Sequence, residues 1–263
     1  MKKFLASFFV ALSIIFGFAA CDNKTDKTAA KAPVELNIAA AANTAVVFDE
    51  LKAAFEKTQK GVIVKPVFAS SGKLVSQIKE SAPFDLFLSA DMHYAQTLKD
   101  AELATSEVKV YAKGNVALLS VRGIDLSKGL DALLDPSVKT IVIADPAKAP
   151  YGKASVELLK SAGIYDAVKG KIVFAGNIGE ALSQTLTAGD VGFINASALK
   201  NAKFADLKKG EKYLEFSSGF EPILQGMIVL KNSKNQAEAK AFFDFILSET
   251  GKNIFKKYGY DVE

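Results

Sequence analysis

Two short runs of small polar residues stand where a strand pattern gives way to a helix pattern, and both could hold an anion. Ser70-Ser71-Gly72 follows the β-rich stretch Val62–Phe68 and precedes a helical pattern beginning near Lys73. Asn43-Thr44 follows Leu36-Asn37-Ile38 and four alanines, and precedes the helical spacing Val46, Val47, Leu51, Ala54, Phe55. A helix start leaves backbone N–H groups without intrahelical acceptors, and a hydroxyl or amide placed there adds a neutral donor. Ser, Thr and Asn also cap helices without binding anything. What favours a ligand is the pair: successive strand-turn-helix units bring their strand ends side by side in a parallel sheet, the edge where ligands gather.

The second half offers three further turns. Asp145-Pro146-Ala147-Lys148-Ala149-Pro150-Tyr151-Gly152 is stiffened by two prolines and places the Tyr151 N–H, and its hydroxyl, at a helix start. Phe174-Ala175-Gly176-Asn177-Ile178-Gly179-Glu180 is glycine-rich and again opens a helix, and Ile194-Asn195-Ala196-Ser197 follows an apolar strand. Other chemistry finds less support. Asp85 and Asp91 flank an apolar strand, which suits capping and structural hydrogen bonds, and a carboxylate would repel a bound anion. His93 has no Cys or second His with which to form a metal site, and Lys73, in a first helical turn, is expected to point to solvent. Ser71 as a hydrolase nucleophile, with Lys73 or His93 as its base, is the competing reading. It lacks a glycine-flanked elbow and a partnered histidine.

The elements that must position these turns alternate as α/β units. Strands are expected at Glu35–Ala39, Val62–Phe68, Leu86–Ser89, Val116–Val121, Thr140–Ala144, Lys171–Ala175, Val191–Ile194 and Met227–Leu230. Helices are expected at Ala45–Gln59, Lys73–Ser81, His93–Ala101, Leu130–Leu134, Lys153–Ala162, Ile178–Ala188 and Gln236–Lys257, the last with a break at Gly251. A chain that crosses to a second α/β lobe near Lys113-Gly114-Asn115 and returns near Ser217–Pro222 makes a hinged cleft. The expected division is residues 34–115 for the first part of lobe 1, 116–218 for lobe 2 and 219–263 for the return to lobe 1.

Residues 1–20 read as an export signal: Lys2 and Lys3, an apolar core from Phe4 to Phe18, then Ala19-Ala20 before Cys21, the single cysteine. Phe18-Ala19-Ala20-Cys21 resembles the bacterial lipoprotein box, which implies lipidation of Cys21. Asp22 beside it resembles an inner-membrane retention signal. Residues 21–33 then form a polar tether. Losing residues 1–20 removes two lysines and lowers the formal charge from +4 to +2, a balance unsuited to nucleic acid.

From Val34 to Tyr260 the chain resembles the bacterial periplasmic molybdate-binding proteins, the receptors of molybdate ABC importers. The resemblance rests on Ala39-Ala40-Ala41-Ala42-Asn43, Phe68-Ala69-Ser70-Ser71, Ala82-Pro83-Phe84-Asp85-Leu86-Phe87-Leu88-Ser89-Ala90-Asp91, Asp145-Pro146 with Pro150-Tyr151-Gly152, Val191-Gly192-Phe193-Ile194, and Lys256-Lys257-Tyr258-Gly259-Tyr260. It implies a type II periplasmic-binding-protein fold: two α/β lobes joined by a hinge, with the ligand between them. It further implies a monomer that is no enzyme, needs no cofactor and uses no metal beyond that of its oxyanion ligand. The expected site is on the periplasmic face of the inner membrane, lipid-anchored or else free in the periplasm, with an ABC permease as partner. By motif, Asn43, Ser71, Tyr151, Ile178 and Asn195 would hold molybdate or tungstate, with Ala42 and Ser70 secondary and Ser70 expected to hold the loop. Asn195 stands where many members carry a tyrosine, and its side chain is shorter. A site for sulfate or phosphate is the alternative within the same class.

Overall fold

A computed structural model describes residues 32–262; the export signal and Cys21 lie outside the described residues. Strands β1 (Val34–Ala41), β2 (Val62–Ala69), β3 (Leu86–Leu88), β4 (Lys109–Gly114) and the returning β10 (Ile223–Val229) form one sheet in the order β2-β1-β3-β10-β4. A second sheet joins β5 (Val116–Ser120), β6 (Ile141–Ala144), β7 (Ile172–Ala175), β8 (Val191–Asn195) and β9 (Tyr213–Phe216) in the order β7-β6-β8-β5-β9. The two orders share one plan. Each sheet has three parallel strands with the earliest of the three in the middle, then an antiparallel strand, and an edge strand antiparallel to that one. The chain passes between the sheets at Asn115 and again between Phe216 and Ile223.

Strand alternation explains the layers. In β1, Leu36, Ile38 and Ala40 face a core built with α1 (Ala45–Thr58), α7 (Gln236–Leu247) and α8 (Glu249–Lys257), while Ala39 faces α2 (Ser71–Lys79) and α3 (Met92–Asp100). With both faces covered, the central strands are apolar throughout. The first core is aromatic, with Phe55 and Phe242 rings 4.8 Å apart and Phe48 against Phe242 at 6.1 Å. In the second lobe α4 (Pro150–Ser161), the short α5 (Tyr165–Val168) and α6 (Ile178–Thr187) pack around Ile141, Val142, Ile143, Leu159 and Phe193.

Three expectations need correction. The final helix is two, separated by the extended Ser248, whose hydroxyl accepts from the Gly251 N–H at 3.3 Å and so starts α8. Gly251 lies inside α8 and marks a close approach: a Cβ there would collide with the carbonyl oxygens of Phe245 and Ile246. Strands β4 and β9 were not expected at all. Both lie at sheet edges, where one side faces solvent and the apolar pattern thins, as Lys-Val-Tyr-Ala-Lys-Gly and Tyr-Leu-Glu-Phe show. Residues Gly129–Leu134 form a 3-10 turn in place of an α-helix.

Candidate anion site between the lobes

The carboxyl ends of four strands meet at one cavity. After β1 come Ala42 and Asn43, after β2 Ser70 and Ser71, after β6 Ala149, Pro150 and Tyr151, and after β7 Ile178. Ala41, Ala69 and Ala90 complete the wall. Small side chains at these strand ends let the two lobes close, and the Cβ atom of Ala42 reaches the first turn of α6 near Gly179. The space left between these residues is small. That is about the room one water molecule needs, so a larger solute enters only when the lobes part.

No ionised side chain lines the cavity. Its polarity comes from helix starts: α2, α4 and α6 begin at Ser71, Pro150 and Ile178, and their first-turn N–H groups have no intrahelical acceptor. Neither Ser70 nor Ala149 supplies a side-chain cap to the helix that follows. Pro150 takes the first helical position, where its missing N–H costs nothing, and its ring directs the chain so that Tyr151 follows at the cavity wall.

Each predicted residue has a definite place. Ser71 is buried and its Oγ accepts from the Ala90 N–H at 2.9 Å, which leaves its own proton free to donate. Ser70 is also buried, yet its Oγ has no partner, so it does not hold the loop as expected. Thr44 donates to the Ala41 carbonyl at 2.8 Å, an ordinary helix-start bond. Asn43 lines the cavity with its Nδ2 turned to Gln225 Oε1 at 2.7 Å and the Tyr260 hydroxyl at 3.1 Å. Asn195 is not brought to the cavity wall. Its short side chain ends on the Asn43 carbonyl (3.2 Å) and Ser197 Oγ (2.6 Å), tying the second lobe to the first-lobe turn.

Further out, the Gly72 N–H donates to the Lys148 carbonyl at 3.0 Å and the Tyr94 hydroxyl to the Ala147 carbonyl at 3.1 Å. These bonds close the lobes over the cavity. Lys73 and His93 are exposed, and neither hydrogen-bonds to Ser71. Asp85 accepts from the Asn37 N–H and Ser233 Oγ, while Asp91 caps α3 through the Tyr94 N–H. Among the described residues no cluster of three His, Cys, Asp or Glu side chains could hold a metal, and no helix is long and apolar enough to cross a membrane.

The family described as bacterial extracellular solute-binding protein matches residues 36–261. The chain belongs to that family. It is 32% identical to the molybdate-binding protein ModA of Rhodobacter capsulatus, over 87% of this chain and 89% of the relative. It is 27% identical to the putative ABC transporter substrate-binding lipoprotein YvgL of Bacillus subtilis, over 100% of both chains. In three dimensions it matches the periplasmic molybdate-binding protein of Azotobacter vinelandii with a TM-score of 0.79 and 28% identity, over 87% of this chain and 99% of that one. The fold is thus the two-lobed type II form.

Beneath the cavity this solute-binding protein carries a buried polar layer that the sequence reading missed. Tyr111 donates to the Ser89 carbonyl at 2.9 Å, and its hydroxyl also lies 3.0 Å from Gln225 Oε1. Tyr260 donates to the Asn43 carbonyl at 2.8 Å and receives Ser197 Oγ at 3.0 Å. Gln225 is fully buried within the apolar Ile223–Val229, and that single polar residue amid inward-facing neighbours was the available signal. Burial pushes the Tyr111 and Tyr151 phenols well above their usual value and Tyr260 up to about 12. All three therefore remain donors at neutral pH. Above pH 10 the unfolded chain loses these protons before the native state does, so stability falls as pH rises. The expected slope reaches about 1.4 kcal/mol per pH unit for each tyrosine, measured by urea unfolding at pH 8, 10 and 11. A flat profile across that window would contradict the burial of these hydroxyls.

Proposed function

We propose that the protein binds molybdate, and its close analogue tungstate, between its lobes and delivers the anion to an ABC permease. The observation that carries this reading is a small interlobe cavity lined by neutral donors and helix starts, without an ionised side chain. A bare tetrahedral dianion presents only acceptors, and a ring of N–H and O–H donors satisfies it. A protonated anion would set a donor against a donor. Sulfate is also unprotonated but smaller, so the size of the cavity in the ligand-bound protein is what would separate the two. In this reading Ser71 and Ser70 give hydroxyls, Tyr151 and Ile178 give backbone N–H groups, and Asn43 forms part of the first-lobe wall. Ala42 shapes the wall and Asn195 holds Asn43 from behind. The resemblance to ModA and to a lipoprotein of an ABC transporter supports the same assignment. The lipoprotein relative and the periplasmic neighbour support a place at the periplasmic face of the inner membrane through lipid on Cys21, where the protein acts as a monomer in this reading.

The test is a competition titration by calorimetry with molybdate, tungstate, sulfate and phosphate. Molybdate and tungstate should bind at least a hundredfold more tightly than sulfate or phosphate, a margin of about 3 kcal/mol. At a hundredfold excess over Kd, molybdate should raise stability by about 2.7 kcal/mol. Preference for sulfate would replace the ligand and keep the receptor.

A further inference from the structure

The lobes meet through hydrogen bonds of two kinds. Beside the hinge lies a buried ring: Asn195 Nδ2 donates to the Asn43 carbonyl at 3.2 Å and to Ser197 Oγ at 2.6 Å, Ser197 Oγ donates to the Tyr260 hydroxyl at 3.0 Å, and Tyr260 donates to the Asn43 carbonyl at 2.8 Å. The ring adjoins the first crossing of the chain, since the Ala196 N–H donates to the Asn115 carbonyl at 2.8 Å. All four residues are buried, so parting the lobes there would strand polar groups away from water. At the rim of the cleft the bonds are exposed. The Gly72 N–H donates to the Lys148 carbonyl at 3.0 Å and the Tyr94 hydroxyl to the Ala147 carbonyl at 3.1 Å, beside an open groove where water can replace either partner.

Both rim bonds adjoin, along the chain, the groups that line the cavity. Gly72 follows Ser71, and its N–H, a first-turn donor of α2, goes to the second lobe instead of the cavity. Ala147 and Lys148 precede Ala149, Pro150 and Tyr151 on the cavity wall. Asp145 stiffens that loop: its side chain accepts from the Ala147 N–H at 3.0 Å, and its carbonyl accepts from the N–H groups of Lys148 at 3.1 Å and Ala149 at 2.9 Å. A loop tied at three points shifts as a unit, so the two carbonyls that take the rim bonds carry the Tyr151 N–H with them. Gly72 is what permits the approach. A Cβ there would stand 2.9 Å from the Tyr94 hydroxyl and 3.2 Å from both the Cα and the carbonyl oxygen of Lys148.

We propose that Tyr94 is a positioning residue of the anion site: through the Ala147 carbonyl it clasps the 145–150 loop to the first lobe, and so sets how fast a bound anion leaves. The lobes turn about the buried ring, and the rim opens because its bonds are the ones that water replaces. Capture takes place with the rim parted, so the Tyr94 hydroxyl has no part in it. Release must break the bond from Tyr94 to Ala147 before the anion has a way out. This rests on the oxyanion reading above and adds the residue that governs release.

Tyr94→Phe keeps the aromatic ring and its packing and removes the hydroxyl alone. When radiolabelled molybdate is chased with unlabelled molybdate, its koff should rise about three- to tenfold, while the association rate stays within about twofold of wild type. Gly72→Ala sets a methyl between the lobes, and its koff should rise about tenfold or more with the association rate again kept. A structural role alone would lower the melting temperature of the ligand-free protein and change the two rates together. If Tyr94→Phe does not fold, Gly72→Ala carries the test. A wild-type koff in either folded variant, or a slower association that accounts for the whole loss of affinity, overturns the inference and leaves molybdate binding standing. A wild type that binds none of molybdate, tungstate, sulfate and phosphate overturns both. One that prefers sulfate removes molybdate only, and the exchange is then read with labelled sulfate.

Discussion

Ser71→Ala lowers molybdate affinity by about 10- to 100-fold, the effect of losing one hydrogen bond to a charged ligand, worth about 1.5–3 kcal/mol. The hydroxyl has two functions that the substitution removes together. Its oxygen accepts from the Ala90 N–H at 2.9 Å, and its proton is free for the cavity. The variant therefore also leaves the Ala90 N–H unpaired at a buried position, at an expected stability loss of about 1–2 kcal/mol. Ser70→Ala separates the two contributions, because the Ser70 hydroxyl has no protein partner to lose. It should weaken the anion with little change in melting temperature. Calorimetric affinity and thermal unfolding of both variants provide the check, and wild-type affinity in Ser71→Ala would refute the site.

Gly152→Ala should be the most damaging single-methyl change near the site. A Cβ at residue 152 would collide with the carbonyl oxygen of Ala144 and stand 2.7 Å from its carbonyl carbon and 3.2 Å from that of Asp145. These are backbone atoms at the end of β6, and they cannot rotate away. Strand and helix must separate, which costs about 3 kcal/mol and lowers the melting temperature by roughly 6–12 °C in a chain of this size. The same separation withdraws the Tyr151 N–H, one residue earlier, so molybdate affinity falls by about tenfold or more. Gly170→Ala is the control: nothing lies within 4 Å of its added methyl, and its stability should stay within about 0.5 kcal/mol of wild type. Equal melting temperatures for the two variants would show that β6 and α4 are not packed as described.

The two glycines illustrate a general division. Gly152 appears in the sequence as part of a turn-rich loop, and nothing in that loop announces that its missing side chain lets α4 sit on the end of β6. Gly251 was read as a helix break from composition alone, whereas Ser248 makes the break and Gly251 permits two carbonyls to approach. Local residue preference identifies that a position is special. The contact that makes it so is made with the backbone of the preceding element, at Ala144 for Gly152 and at Phe245 and Ile246 for Gly251.

Most of the cavity was legible because it is built from local units. Asn43, Ser70, Ser71, Tyr151 and Ile178 each sit at a strand-to-helix turn, and such turns are written in consecutive residues: an apolar run, a small polar or proline signal, then a helical period. The parallel arrangement of those units follows from their alternation, which brings the strand ends to one edge. The fate of Asn195 was not legible, because whether a short amide reaches a cavity or stops on the Asn43 carbonyl depends on how closely the lobes meet.

By itself, then, the sequence determined which turns carry the neutral donors and that two α/β units would repeat the design, since these depend on patterns within a dozen residues. The tertiary structure alone decided which donors remain free. Gln225, Tyr111 and Tyr260 come from strands and a tail far along the chain, and they meet Asn43 only where the hinge folds them together. A hydrogen bond is settled by position to within a few tenths of an ångström, and no spacing in the sequence specifies that.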